Sequence, residues 1–258
     1  MVEPTAYLEL DQWIQLEETG STNDYLMSSS YPPGTIVTTK QQTAGKGRSG
    51  RLWRSEQSAL YFSGSFGWSK PPGPLFSLAM GLGVLHALEA WPALAGHRQG
   101  LWLKWPNDLV RKETGSLKKL GGILIEGKAS SSGWQTVVGI GINWFSAPYA
   151  AGEDPLPPGA LLESRREEMD QGGTGEEASI GPLEFVPVLI KHLNRMAVYF
   201  QNPAFPGEYR SREIMQNREV SLRDQGIRAV VTGINDQGSL ILDNGTVIED
   251  SARNLELL

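Results

Sequence analysis

The order of apolar and polar positions predicts several strands in the first part of the chain. A β-branched run at 35–39 and an alternating segment at 58–68 both have the pattern of a strand. Residues 100–105 are largely apolar and end at a proline, which predicts a buried strand leading into a polar turn. Two further apolar runs, 119–127 and 134–144, are separated by a short polar segment. They therefore predict a β-hairpin, or at least adjacent strands.

Helical patterns predict three helices. Residues 74–91 form a long apolar run that begins at a proline and stops near Pro92. Residues 182–200 have helical periodicity, and a shorter helix is predicted at 208–217. Together with the strands, these helices predict an α/β (α+β) body.

The C-terminal tail predicts a separate all-β unit. Five short strand candidates follow one another with turn signals between them, which is typical of a small antiparallel barrel. We therefore expect a first domain at 1–210 and a barrel at 211–258. The five strand candidates are 219–223, 227–235, 238–244, 246–250 and 253–258.

Charge is distributed unevenly along the chain. There are 29 acidic and 23 basic side chains, which gives a formal net charge of −6. The segment from Ser146 to Ser179 alone accounts for this excess, so a general nucleic-acid-binding face is not predicted. Residues 146–180 are also rich in glycine and proline, so we expect an acidic, mobile insertion with a short ordered piece at 160–163.

Composition also excludes several kinds of chemistry. The absence of cysteine excludes disulfides, zinc–thiolate sites and thiol nucleophiles, and it predicts a cytoplasmic setting. The acidic N-terminus is expected to be mature protein and not a secretory signal, and no apolar run reaches the roughly 20 residues of a membrane span. The three histidines are scattered, which argues against a histidine metal site or triad. They are His86, His97 and His192.

One loop contradicts the acidic character of the chain. Between Lys40 and Arg54 there are five cations and no acid, and three glycines are interleaved with the cations in the stretch TAGKGRSGRLW at 43–53. Backbone N–H groups beside fixed positive charges form anion sites, usually for phosphate. A solvated cationic turn is the alternative reading of the loop taken alone.

Two common nucleotide motifs do not explain this loop. A P-loop requires a glycine four residues before Gly-Lys-Ser/Thr, which GKGRSGR lacks. The dinucleotide pattern G-x-G-x-x-G fits Gly45, Gly47 and Gly50, but the residues that follow have the pattern of a strand where that motif needs a helix.

Three further segments strengthen the prediction of an anion site. KWPND at 104–108 places a cation, an amide and a carboxylate at the end of a buried strand, where ligands of open α/β sheets collect. KKLGG at 118–122 puts two lysines directly before two glycines, so that a backbone can approach a ligand beside an ammonium group. GIGIN at 139–143 adds an amide. Each segment alone also fits an ordinary strand end or tight turn.

The complete set of motifs resembles the biotin–protein ligases. STND, QTAGKGRSGRLW, KWPNDL, KLGGILIE and VVGIGIN occur in the order and approximate spacing of that family, between residues 19 and 144. The resemblance implies a mixed-sheet catalytic domain of the biotin/lipoate ligase type and an SH3-like C-terminal barrel. It also implies a two-step reaction, in which the biotin carboxylate attacks the α-phosphate of ATP, and a carrier lysine then attacks biotinyl-5′-AMP.

The resemblance also assigns expected roles to individual residues. Lys119 and Arg48 are expected to be catalytic, and Mg²⁺ is expected to bind through the ATP phosphates. Expected biotin contacts are Ser21, Thr22, Gln42, Lys46, Arg48, Lys119 and Gly122; for Ser21 and Thr22 the alternative is a helix N-cap. Expected ATP or adenylate contacts are Arg48, Arg51, Trp53, Asn107, Asp108 and Asn143; Asn143 has the alternative of capping a turn, and Trp53 that of a core residue.

Partners follow from the same resemblance. It implies a biotin carboxyl carrier protein domain of acetyl-CoA carboxylase or another biotin-dependent carboxylase, and it allows a homodimer. About 20 residues precede Ser21, too few for a three-helix DNA-binding domain, so no DNA partner is expected. The alternatives are a lipoate–protein ligase, which shares the fold and the acyl-adenylate chemistry, and a non-catalytic nucleotide-binding module.

Overall fold

A computed structural model gives the fold of most of the chain. Within the described residues there are two β-sheets and four α-helices. The described residues are 2–28, 30–54, 59–130, 133–148, 156–163, 181–222, 226–249 and 255–257.

The larger sheet mixes parallel and antiparallel pairs, which confirms the predicted mixed sheet. Its strand order is β2-β3-β4-β8-β7-β6-β5, β1 pairs with β4, and β2 and β3 are parallel while the other neighbours are antiparallel. The strands are β1 (Pro4–Ala6), β2 (Trp13–Thr19), β3 (Ile36–Gln42), β4 (Ala59–Trp68), β5 (Leu101–Lys104), β6 (Asp108–Glu113), β7 (Ser116–Ser130) and β8 (Gly133–Asn143).

The helices lie on opposite faces of this sheet. Two long helices pack together over the main core, where Gly81 in the first of them faces Leu103 and Ile123. The first of these helices is buried on almost every side, so it is apolar all round and not amphipathic. A short helix contacts β3, β4, β7 and β8 on the opposite face. The helices are α1 (Thr22–Ser28), α2 (Leu75–Ala90), α3 (Val186–Tyr199) and α4 (Phe205–Arg210).

The five predicted strands of the tail are confirmed. They form one antiparallel sheet of order β12-β11-β10-β9-β13, in agreement with a small SH3-like unit. Its strands are β9 (Glu219–Leu222), β10 (Ile227–Ile234), β11 (Leu240–Leu242), β12 (Val247–Ile248) and β13 (Leu255–Leu257).

One predicted helix has the wrong bounds, and three strands were not predicted. The helix expected at 208–217 runs from Phe205 to Arg210, with Pro206 in its first turn. The chain then leaves the helix because the N–H of Ile214 bonds to the carbonyl of Leu103, and Asn217 has a φ of 62°. The unpredicted strands are β1, β2 and β6.

The acidic insertion is described in part. Within 146–180 the structure describes 146–148 and 156–163. The piece at 160–163 is ordered as expected, with Ala160, Leu161 and Leu162 all buried. The prediction that this insertion is mobile was based mainly on 171–179, which lies outside the described residues.

Candidate functional site

The KWPND turn brings three charged side chains together at the end of β5. Asp108 begins β6 and lies opposite Gly122 of β7. Its Oδ1 is 2.9 Å from the Nζ of Lys119, and its Oδ2 is 3.8 Å from the Nζ of Lys104. Lys104 and Asp108 are both buried, so the charges are weakly screened by solvent. One carboxylate thus compensates two ammonium groups here.

Asn107 connects this turn to the cationic loop. Its side-chain amide donates to the backbone carbonyl of Ile123 at 2.8 Å, and its backbone carbonyl accepts from the N–H of Ile123 at 2.9 Å. The remaining side-chain oxygen accepts from Nη1 of Arg48 at 3.3 Å. The loop and the turn, 59 residues apart in sequence, are therefore in direct contact.

The cationic loop itself is folded by its own backbone. Lys46 and Leu52 form an antiparallel bridge, the N–H of Gly47 bonds to the carbonyl of Arg51 at 2.8 Å, and a short 3₁₀ turn covers Arg48–Gly50. Gly50 has a φ of 78°, a conformation that favours glycine. The backbone therefore turns back on itself and presents the Arg48 side chain to the KWPND turn, while Arg51 is exposed.

Lys46 has a different partner from the arginines of this loop. Its Nζ lies 2.7 Å from the carboxylate of Asp24 in α1, and this contact raises the pKa of Lys46. Both side chains are about half exposed, so the pair contributes little to stability. Its consequence is geometric, since it attaches one side of the loop to α1.

Glycines form the floor beneath the loop. Gly122, Gly141 and Gly139 lie on neighbouring strands and face the α1 side of the sheet. A Cβ added at Gly141 would lie 2.7 Å from the indole of Trp53, and one at Gly122 would lie 3.3 Å from it. A Cβ at Gly139 would lie 2.3 Å from the side-chain oxygen of Asn23. The missing side chains thus leave room for a flat group to lie directly on the sheet.

Trp53 occupies part of that room. The Nζ of Lys119 is 5.8 Å from the centre of its ring, within range of a cation–π contact. Its indole Nε1 is buried and has no hydrogen-bond partner among the described residues. A buried donor without an acceptor is costly, so a bound acceptor at this position would be stabilising.

Ser21, Thr22 and Gln42 form a second cluster at the start of α1. The N–H and the hydroxyl of Thr22 both donate to Oε1 of Gln42, at 2.9 and 3.1 Å. The hydroxyl of Ser63 lies 2.8 Å from that of Thr22 and 2.7 Å from the side-chain oxygen of Asn23. This cluster fixes several polar groups beside the glycine floor.

The N-cap alternative for Ser21 agrees with its observed contact. The N–H of Asp24 points to the hydroxyl of Ser21 at 3.4 Å, as expected for a capping serine. Asn23 reaches in the other direction and donates to the carboxylate of Glu126 on β7 at 2.8 Å. The sequence analysis missed Asn23, Ser63 and Glu126 as members of the cluster, because β4 and β7 contribute two of them from distant positions.

Asn143 holds the described part of the acidic insertion. Its side-chain amide donates to the carbonyl of Gly159 at 2.9 Å, and the backbone of Lys119 bonds to both Pro157 and Gly159. The guanidinium of Arg111 donates to the carbonyls of Ala160 and Leu161 in the insertion and to that of His97, and burial lowers its pKa. Asn143 therefore joins the end of β8 to a segment 16 residues further along the chain.

Ten of the twelve predicted site residues fall into two groups joined by the glycine floor, whereas Arg51 is exposed and Asn143 contacts the insertion. The first group surrounds the KWPND turn and the second surrounds the start of α1. The first group contains Arg48, Trp53, Asn107, Asp108, Lys119 and Gly122; the second contains Ser21, Thr22, Gln42 and Lys46.

Two other kinds of feature are not found in the described part of the chain. No three histidine, aspartate or glutamate side chains of the described residues converge as metal ligands would. Within the same residues, every helix is too short or too polar to span a bilayer.

Comparison with known proteins identifies the family of this chain. Residues 14–143 match the family model described as biotin/lipoate A/B protein ligase family. A biotin–[acetyl-CoA-carboxylase] ligase of Paracoccus denitrificans is 30% identical over 80% of this chain and 82% of its own. A second biotin–[acetyl-CoA-carboxylase] ligase, from Mycobacterium tuberculosis, is 28% identical over 90% of this chain and 85% of its own length. A biotin protein ligase from Aquifex aeolicus, solved in complex with biotin and ATP, has a TM-score of 0.68 and 25% identity, covering 96% of this chain and 99% of that one.

The family match spans half of the chain, and the relatives align over most of their own length. The chain therefore belongs to the biotin/lipoate A/B protein ligase family, and within it to the biotin–protein ligases.

Proposed function

We propose that this chain attaches biotin to a specific lysine of a biotin carboxyl carrier protein domain, at the expense of ATP. In the first step a carboxylate oxygen of biotin attacks the α-phosphorus, the bond to the β-phosphate breaks, and pyrophosphate leaves. In the second step the lysine amine attacks the carbonyl of biotinyl-5′-AMP, releases AMP and loses a proton. The first step requires that two anions be held close together, and the second that an amine be aligned with the carbonyl, so positioning and charge stabilisation supply most of the catalysis.

One observation carries this proposal. Three segments that are distant in sequence meet at one place: Arg48 contacts Asn107 at 3.3 Å, Asp108 contacts Lys119 at 2.9 Å, and Trp53 covers Gly122. A guanidinium, an ammonium and an unpartnered indole N–H suit a phosphate-bearing ligand better than a neutral one.

The cluster at the start of α1 suits the polar ring of biotin. Thr22, Gln42 and Ser63 present hydroxyl and amide groups beside the floor at Gly139 and Gly141. A ligand with a polar head and an apolar chain would place its head here and its chain along the glycines. Its carboxylate would then end near Lys119, on the side of the KWPND turn.

The nucleotide would lie on the opposite side of that carboxylate. Arg48, Asn107 and Asp108 border this region, and Asn143 fixes the insertion beside it. Arg51 is exposed at the end of the loop, where closure over phosphates would engage it. Trp53 would act as a wall of the closed site. Water exclusion matters here because the adenylate is a reactive mixed anhydride.

Mg²⁺ suits this site as an ion brought in by ATP. Each oxygen of Asp108 already faces a lysine ammonium, and the described residues supply no cluster of three metal ligands. The ion, held by the phosphates, would neutralise part of their charge. The residues of the site would then orient the carboxylate against the α-phosphorus.

A direct assay tests the proposal. The protein is incubated with biotin, ATP, Mg²⁺ and an apo biotin carrier domain, and the mass of the carrier is measured. We expect one biotinyl group on one lysine, and no gain when that lysine is replaced by arginine. Replacing biotin by lipoate tests the lipoate ligase alternative. If no pyrophosphate is released with biotin and ATP, the ligase proposal is rejected in favour of a non-catalytic nucleotide-binding module.

The proposal extends to the acceptor protein, the cellular setting and the oligomeric state. The acceptor would be a carrier domain of acetyl-CoA carboxylase or of another biotin-dependent carboxylase, and the use of ATP fits a cytoplasmic setting. Strand β7 extends beyond the end of β6, and no strand of the described residues pairs with its outer edge at 124–129. Such an edge is a template for pairing with a second chain, which supports a homodimer. Sedimentation over a range of concentrations tests this, and a constant monomer mass would contradict it.

A further inference from the structure

A buried carboxylate outside the two groups of site residues lies directly behind the KWPND turn. Glu213 follows α4 and is 6% exposed. Its segment runs beside β5, where the N–H of Leu103 bonds to the carbonyl of Arg212 and the N–H of Ile214 bonds to the carbonyl of Leu103, both at 2.9 Å. Glu213 therefore sits at the junction between the large sheet and the C-terminal strands.

Glu213 and the C-terminal sheet hold Trp105 from two sides. Oε1 of Glu213 accepts from the N–H of Trp105 at 3.3 Å and from the N–H of Met215 at 2.8 Å. The indole of Trp105 donates to the carbonyl of Gly238 at 2.8 Å. Trp105 is 1% exposed and stands three residues before Asp108, so the position of the turn depends on these contacts.

Lys104 connects Glu213 electrostatically to the site. Its positive charge acts on Glu213, and its Nζ is 3.8 Å from Oδ2 of Asp108. The other oxygen of Asp108 pairs with Lys119 at 2.9 Å. Glu213, Lys104, Asp108 and Lys119 thus form a row of alternating charges in a region where solvent screens little.

The other charged groups near this junction have partners of their own. Arg212 pairs with Glu89 of α2, and Arg210 pairs with Asp236 beyond β10. Among the described groups, Lys104 is the cation whose charge acts on Glu213.

We infer that Glu213 is a positioning residue of the ligase reaction: it holds the Trp105 amide and shares the Lys104 ammonium with Asp108, and so sets the ion pair that orients Lys119. This inference rests on the proposed function for its catalytic consequence. When Glu213 is ionised, the positive charge of Lys104 is neutralised by Glu213 as well as by Asp108. The carboxylate of Asp108 can then pair mainly with Lys119. When Glu213 is protonated or replaced by glutamine, Lys104 relies on Asp108 alone and competes with Lys119 for that carboxylate.

The state of Glu213 changes within the neutral range. Burial raises its pKa to about 7, against the opposite effect of the amide hydrogen bonds and of Lys104. The orientation of Lys119, and with it adenylate formation, therefore weakens as the pH falls through 7.

The test compares the full-length protein with Glu213→Gln, which keeps an acceptor for the two amides but loses the charge. The kcat and KM for pyrophosphate release are measured from about pH 6 to about pH 9. We expect the wild-type kcat to fall about threefold to tenfold as the pH decreases through 7, and the variant to have a low kcat without this change. The KM for biotin should change little. Asp236→Asn, at the same junction but facing Arg210, should retain the wild-type profile.

A second readout does not depend on activity. The rate at which an amine-reactive acylating reagent labels Lys119 is measured by mass spectrometry, with Lys118 as internal control. Glu213→Gln should increase labelling of Lys119 about threefold, because its ion pair is weakened, and leave Lys118 unchanged. Unchanged labelling of Lys119, or a variant that keeps the wild-type pH profile, would overturn the inference. Altered labelling in a protein that releases no pyrophosphate would instead reject the proposed function.

Discussion

The ammonium of Lys119 lies 2.9 Å from the carboxylate of Asp108, and both side chains are largely withdrawn from solvent, at 17% and 12% exposure. If this ammonium neutralises the biotin carboxylate as it approaches the α-phosphate, Lys119→Ala should suppress adenylate formation by roughly 10²-fold or more. Pyrophosphate release under saturating biotin and ATP measures this effect.

The neighbouring lysine provides a matched control. Lys118 pairs with Glu113 at 3.3 Å and with Glu163 at 3.5 Å, away from Asp108. Lys118→Ala removes the same number of atoms and the same charge one position earlier, so it should reduce the rate by less than about threefold. Equal loss in the two variants would reject the assignment of Lys119.

A different outcome is expected for Arg48, which contacts Asn107 at the border of the nucleotide region. If its guanidinium retains the adenylate, Arg48→Gly should still form biotinyl-AMP but release it into solution. Free adenylate then labels exposed lysines of unrelated proteins, such as added serum albumin, and mass spectrometry detects that label. The control is Lys40→Ala, because Lys40 pairs with Glu17 at the surface, where both side chains are largely exposed. An Arg48 variant that labels its carrier alone would contradict this role.

The glycine floor leads to a third prediction. In Gly141→Ala the new Cβ would lie 2.7 Å from the indole of Trp53, so the ring must move off the floor. We expect the KM for biotin to rise about tenfold, because the methyl group occupies the space of the ligand chain. Steady-state kinetics at saturating ATP measure the change. Gly73→Ala should match the wild type, since no atom lies within 4 Å of its added Cβ; a similar KM in both variants would argue against the floor.

Local patterns predicted most of the large sheet because its strands are buried. Every residue of β4 is buried, and its sequence ALYFSGSFGW accordingly contains no charged residue and is rich in apolar side chains. Strand β2 was missed for the opposite reason: its sequence WIQLEET is half polar because much of it faces solvent at the sheet edge. The helix placed at 208–217 failed because Glu213 makes a tertiary contact that local periodicity does not encode.

The candidate site was predictable to the extent that it consists of motifs. Resemblance to the family assigned Lys119 and Arg48 without any knowledge of distances. The pairing of Lys46 with Asp24, and of Asn23 with Glu126, joins positions 22 and 103 residues apart, so only the folded chain reveals them. The same holds for Glu213 and Trp105, which are 108 residues apart.

The buried carboxylate of Glu213 also predicts how stability depends on pH. Its pKa is raised from about 4.5 to about 7 in the folded chain, so the folded state holds this proton more tightly than the unfolded state does. The stability that the proton provides is complete below the unfolded pKa and is lost as the pH rises through the folded pKa. Glutamine cannot ionise, so Glu213→Gln should lack this loss.

Urea unfolding at about pH 5 and about pH 8 measures the difference. Between these values we expect the wild type to lose roughly 2–3 kcal/mol relative to Glu213→Gln. His86 and His192, whose pKa values are lowered by burial, titrate in both proteins and therefore cancel in the comparison. A free-energy difference between the two proteins that stays constant with pH would show that Glu213 ionises without cost, and that the junction behind the KWPND turn is more polar than its contacts indicate.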